Sequence, residues 1–177
     1  MTTVEYLETP ETVLPRELAY GELRVADSPS VSHQRVVVEL TLALVPFVRE
    51  RHLGEVLVAP MDVILDFDGA LVVQPDLLFV SQERRHIISD RIYGAPDLVI
   101  EVLSPHPRIG RTEERIGWFA RSGVRECWLV STADKSIVVL SLTGTGIRAR
   151  TLHRGSDAIQ TEVLEGLSLT PVQVFGW

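Results

Sequence analysis

Residues 98–103 read LVIEVL. Five of the six are branched aliphatic residues, with none of the apolar–polar alternation of a half-exposed strand. Such a run suits a short strand buried within a layered domain. Its exception is Glu101. A lone carboxylate in a buried strand costs roughly 3 kcal/mol or more unless it is paired, hydrogen-bonded or bound to a metal. Any fold for this chain has to bury the strand and explain the acid.

The chain of 177 residues is long enough for one domain with a full core, and residues 1–177 are expected to form a single unit. No repeat, low-complexity tract or long linker divides it. The net charge of −7 gives no overall basic field to attract nucleic acid, although a local basic patch is compatible with it. One cysteine, Cys127, excludes an intrachain disulfide and a cysteine-rich zinc site. It lies in the strand-like run ECWLV, where a buried inert thiol is expected. The acidic start MTTVEYLETP lacks the basic and apolar regions of a signal peptide, and no uninterrupted apolar run approaches bilayer length. A cytoplasmic protein without a membrane segment is the expectation.

The elements follow from pattern. Residues 3–9 suit a short helix, and PRELAYGELRVAD a hairpin around Tyr20-Gly21. Residues 32–51 are ambiguous. VVVELTLALV favours a strand by propensity, whereas length and the spacing of Val36, Leu40, Ala43, Leu44 and Phe47 favour a helix. A helix kinked at Pro46 and ended by His52 to Gly54 is predicted, with Ser30 and Ser32 as N-cap candidates. A strand over 55–66, a turn at Asp68-Gly69, extended pieces at 70–74 and 76–80, and an irregular segment with one helical turn over 81–95 come next. Strand 97–103 leads to a helix capped by Thr112 and stopped by Gly123. Strands 125–131, 136–142 and 147–153 and a short helix in TPVQVF complete the chain. The class is α/β (α+β): a central mixed β-sheet flanked by helices, with an extra N-terminal hairpin and C-terminal strands.

Two PD dipeptides, 75–76 and 96–97, each open an apolar strand. Asp76 heads LLFV, and the second strand carries Glu101. An acid at one strand start and an acid inside a neighbouring strand can converge on one divalent cation. Carboxylate oxygens suit Mg²⁺ or Mn²⁺, which keep waters for substrate. The plainer readings are a cap acid for Asp76 and an arginine partner for Glu101. Partners abound, because of 17 basic residues all but Lys135 are arginine. Asp62 and Asp97 are expected to be structural. The basic stretch ERRHIISDR (83–91) could meet phosphates but suits a solvated loop. The three tryptophans suit core or interface positions.

The segments PRELAYGELRV, SPSVSHQRV, GEVLVAPMDVILD, VQPDLLFVS, GAPDLVIEVLSP and SGVRECWLV occur in an order and spacing that resemble the Uma-type putative restriction endonucleases of the PD-(D/E)XK nuclease superfamily. The resemblance covers nearly the whole chain, and VQPDLLFV followed by APDLVIEVLSP is its most specific part. It implies a restriction-endonuclease-like fold, hydrolysis of phosphodiesters in nucleic acid (DNA foremost), and Mg²⁺ (or Mn²⁺) held by Asp76 and Glu101. Where the general motif has lysine, this chain has Leu103. Relatives often carry a lysine on the next helix, in a D-x-x-x-K-x-x-x-Y pattern. The corresponding residues here are Arg111, Arg115 and Phe119. Arginine stays protonated and cannot act as a general base, but it can stabilise charge on a phosphate. Arg115 is therefore expected as a phosphoryl clamp. The resemblance also marks His33 as a site residue that orients water or substrate. It makes Glu17, Glu22, Gln34 and Arg111 candidate supporting residues around the site; Glu126, which opens a strand, is a further candidate by position. Two alternatives stand beside the nuclease: a catalytically degenerate nucleic-acid-binding module, and a homodimeric interaction protein.

Overall fold

The computed structural model describes residues 1–10, 12, 14–25, 28–103 and 112–177. The strands form two mixed sheets. The first has the order β2-β1-β5-β4-β7, from β1 (Arg16–Ala19), β2 (Glu22–Val25), β4 (Val63–Asp66), β5 (Leu71–Val73) and β7 (Ile92–Tyr93). The second has the order β11-β10-β9-β8-β6-β3, from β3 (Gly54–Val58), β6 (Leu77–Ser81), β8 (Leu98–Leu103), β9 (Glu126–Ser131), β10 (Ser136–Thr143) and β11 (Gly146–Arg154). The helices are α1 (Thr3–Leu7), α2 (Val31–Glu50), α3 (Thr112–Ser122) and α4 (Pro171–Val174), with a 3₁₀ helix over Gln82–Ile87.

The ambiguous segment is a helix. Ser30 caps α2 by accepting the His33 amide at 3.2 Å, and Val36, Leu40, Leu44, Phe47 and Val48 form its buried stripe. Packing of this stripe against the six-stranded sheet outweighs the β propensity of its valines. Pro46 removes the donor that the Leu42 carbonyl would accept from, and Leu42 is on the exposed face, where water can substitute. The helix ends with His52 in the left-handed region (φ 52°), and the Leu53 amide returns to the Val48 carbonyl at 3.0 Å. By length and mean hydropathy (1.3) α2 could cross a membrane, with 22% of that window buried. Here its apolar stripe is spent on the sheet.

The expected strand over 55–66 is divided. Pro60 has no amide to donate, so the ladder ends at β3, and the chain resumes as β4 in the other sheet. The N-terminal hairpin is likewise not an appendage. β1 pairs with β5 and forms one side of the five-stranded sheet. Its two-residue turn places Tyr20 (φ 50°) and Gly21 (φ 89°) in the left-handed region, as a hairpin turn of this length requires.

β8 is central, parallel to β9 and antiparallel to β6. One face of its sheet carries Leu98, Ile100 and Val102 and packs with α2, α4 and the C-terminal residues Ile159, Leu164 and Leu169. The other carries Val99 with Leu78, Val80, Cys127 and Leu129 and packs against α3 and the five-stranded sheet. Alternation along β8 therefore turns Glu101 toward the seam between the two sheets. Gly54 has a structural cause of its own: a Cβ there would lie 2.1 Å from the Val80 carbonyl oxygen.

Candidate functional site

The β6–β8 register pairs Leu77 with Ile100, so one step outward Asp76 lies across from Glu101, on the same face. The Asp76 Oδ2 accepts the Val102 amide at 2.7 Å, which fixes its carboxylate against β8. Its Oδ1 meets His33 Nε2 at 3.1 Å. His33 reaches it from the first turn of α2, held there by the Ser30 cap. Asp76, Glu101 and His33 are thus brought together from three elements. His33 Nδ1 is buried and has no hydrogen-bond partner among the described residues.

Arg115 enters from α3. Its Nη2 donates to Glu101 Oε1 at 2.6 Å, and its Nη1 donates to Glu17 Oε2. Ile116, Phe119 and Ala120 anchor this helix in the core. The Phe119 ring lies 5.6 Å beneath the guanidinium carbon. Gly123 closes the helix at φ 95°, with the Val124 amide on the Phe119 carbonyl at 3.0 Å and the Gly123 amide on Ala120 at 3.2 Å, a Schellman ending. Thr112 is the first helical residue rather than the cap. Arg111 lies outside the described residues.

Glu17 is 1% exposed, and its Oε1 accepts the Gln74 amide at 2.6 Å. It joins the site from β1. Its hairpin companion Glu22 does not. That side chain is 69% exposed and pairs with Arg24 at 3.1 Å, because β2 is an edge strand turned to solvent. Gln34 is exposed on α2, with no side-chain hydrogen bond among the described residues. Glu126 is engaged with the C-terminal segment. It is buried and accepts from Trp128 Nε1 (2.7 Å), Thr161 Oγ1 (2.6 Å) and the Glu162 amide (2.9 Å), pinning the C-terminal segment to the sheet. Cys127 is a buried free thiol whose pKa is pushed well up, first by burial and then by the Glu101 charge.

Sequence reasoning missed Gln74. Its Nε2 donates to Asp62 Oδ1 at 2.9 Å, and Asp62 also accepts from Tyr6 (2.9 Å) and Arg91 (3.3 Å). Gln74-Pro75-Asp76 thereby joins the two sheets. Gln74 is tied to Glu17 and Asp62 on one side, and Asp76 to β8 on the other. A polar residue directly before the PD dipeptide was the available signal.

The cluster is rich in acids. Among the described residues three carboxylates (Glu17, Asp76, Glu101) lie together, with the Arg115 guanidinium on Glu17 and Glu101 and the His33 imidazole on Asp76. Burial pushes the Glu101 carboxyl up to about 7; Arg115 opposes this, and the charges of Asp76 and Glu17 add to it. Arg115 is desolvated, yet Glu101 and Glu17 hold it protonated even more firmly than usual. Among the described residues no group of three or more His, Cys, Asp or Glu donors is spaced to hold a metal ion. The donor set fits a cation that needs only one or two carboxylates and keeps its waters, which is the habit of Mg²⁺. The residues present therefore fit such a group, and Asp76 and Glu101 are the ones that would hold it.

No curated protein matches the chain significantly. Among solved structures, a crystal structure of a putative nuclease belonging to DUF820 from Anabaena variabilis superposes with a TM-score of 0.84 at 19% identity, covering 100% of this chain and 98% of that one. At that identity the likeness establishes the shared fold. Residues 4–172 match the Uma2 family, described as "Putative restriction endonuclease". With the match spanning almost the whole sequence, this chain belongs to the Uma2 family.

Proposed function

We propose that the chain is a divalent-metal-dependent nuclease that hydrolyses phosphodiesters in nucleic acid, with DNA the first substrate to test. The observation that carries this is the pairing of Asp76 with Glu101 across β6 and β8, in a cluster of three acids. Asp76 and Glu101 would hold Mg²⁺ or Mn²⁺, which supplies Lewis-acid stabilisation of the phosphoryl oxygens and an activated water. The protein's own groups do the rest. The Val102 amide and His33 fix the Asp76 carboxylate. Arg115 uses two of its five N–H donors on Glu17 and Glu101, and the others can face a phosphate oxygen and offset charge in the transition state. It takes no proton at any step. His33 orients water or substrate beside Asp76.

A degenerate, binding-only module has one observation in its favour: Arg115 already pairs with Glu101. Against it, that guanidinium is paired with Glu101 and Glu17 and not with Asp76, which still faces Glu101 across the strands. The purified protein is tested with Mg²⁺ and Mn²⁺ on plasmid, single-stranded DNA and RNA. Cleavage that disappears in Asp76→Ala supports the nuclease. Intact substrates at high enzyme concentration, under conditions where a lysine-bearing relative cuts, favour the binding module. A homodimer in the cytoplasm completes the proposal; light scattering tests the assembly.

A further inference from the structure

We infer that the Arg115 guanidinium stands where a second metal ion would otherwise bind, so that the site takes a single divalent ion. This rests on the metal-binding reading above. Glu17 and Glu101 come from different sheets and converge on one cation, and that cation is part of the chain. Each acid receives its own Nη of Arg115, Glu101 at 2.6 Å, as two carboxylates would share a bridging ion. The guanidinium is fixed in place. Its side chain is 11% exposed, it lies over the buried Phe119 ring, and Glu17 is itself held by the Gln74 amide at 2.6 Å. In two-metal hydrolytic sites two ions about 4 Å apart share acidic ligands. Here Glu101 is the shared acid, with Asp76 and a divalent ion on one side and Arg115 on the other. An arginine suits this place better than a lysine, because its planar fork reaches two carboxylates at once and does not lose its proton.

The test is Mn²⁺ stoichiometry by calorimetry on the full chain, at neutral pH and without substrate. The wild type is expected to bind one ion per chain. Arg115→Met leaves Glu17 and Glu101 without their internal cation and is expected to bind two, and Arg115→Met with Glu17→Gln to return to one. Arg115→Lys keeps a positive charge and is expected to remain at one. Should Arg115→Met fail to fold in buffer alone, millimolar Mn²⁺ is expected to restore its cooperative melting, since the ion replaces the missing charge. Two ions in the wild type or in Arg115→Lys, one ion in a folded Arg115→Met, or no rescue of an unfolded one would overturn the inference. No Mn²⁺ binding to the wild type would instead overturn the metal-binding reading on which it stands.

Discussion

Asp76 and Asp97 sit at opposite ends of one antiparallel pair, each behind a proline and each ahead of an apolar strand. Each uses Oδ2 to accept a backbone amide from the facing strand at 2.7 Å: Val102 for Asp76, Ser81 for Asp97. The local geometry is the same, and the surroundings are opposite. Asp97 is 1% exposed and has two arginines near its Oδ1, Arg125 at 3.4 Å and Arg84 at 3.6 Å. Its charge is more than matched. Asp76 shares its end with Glu101 and Glu17, and among the described residues it meets the His33 imidazole while Arg115 pairs with the other two acids. The PD dipeptide therefore determines how a strand begins, and the neighbours around its acid differ between the two ends: arginines at Asp97, acids at Asp76.

The sharpest way to break this comparison is to truncate both acids. Asp76→Ala is expected to weaken Mn²⁺ binding by at least about 100-fold while the protein still folds, since one of two ligands is lost. Asp97→Ala is expected to leave Mn²⁺ affinity within about threefold, but to cost about 3 kcal/mol in urea unfolding, because a buried amide loses a charged acceptor. Equal losses of metal affinity in both variants would erase the distinction between the two ends.

A second effect distinguishes the ends by pH. The Glu101 carboxyl lies at about 7 when folded, against 4.5 when free. The folded state therefore binds more protons in that window. Stability is expected to fall by a few kcal/mol, on the order of 2–3, as pH rises from about 4.5 to 7, and to level off above it. Urea melts across this range test it. Glu101→Gln is expected to flatten the slope, whereas Asp97→Asn leaves it in place. Mn²⁺ affinity is expected to rise over the same window, because the ion displaces the proton.

The smallest effects separate the two hairpin acids. Glu17→Gln is expected to cost about 2–3 kcal/mol by removing one partner of a buried ion pair. Glu22→Gln, at a solvent-exposed pair, is expected to stay within about 0.5 kcal/mol. Chemical denaturation of the two single variants decides it.

Much of this architecture was legible in residue pattern. The strand with Glu101, the Asp76 strand start, the hairpin turn and the Gly123 helix stop all follow from local rules that the tertiary packing respects. The pair of acids was legible because Glu101 lies on a strand and Asp76 directly before the strand that faces it, where register and alternation carry over to space. Three features were not. Pro60 marks the break locally, but the assignment of β3 and β4 to separate sheets is a long-range choice. Glu17 and Glu22 look alike in the sequence, and only the pairing of β1 with β5 buries one and leaves the other at an edge. Gln74 acquires its role from partners far off in the chain, Glu17 and Asp62.

The central claim is that Asp76 and Glu101 form one cation site. A crystal soaked in millimolar Mn²⁺ tests it directly through anomalous scattering. The account predicts a single peak between the carboxylates of Asp76 and Glu101, with Arg115 still on Glu17 and no peak at Asp97. Density elsewhere, or no peak between those two acids at that concentration, would contradict it.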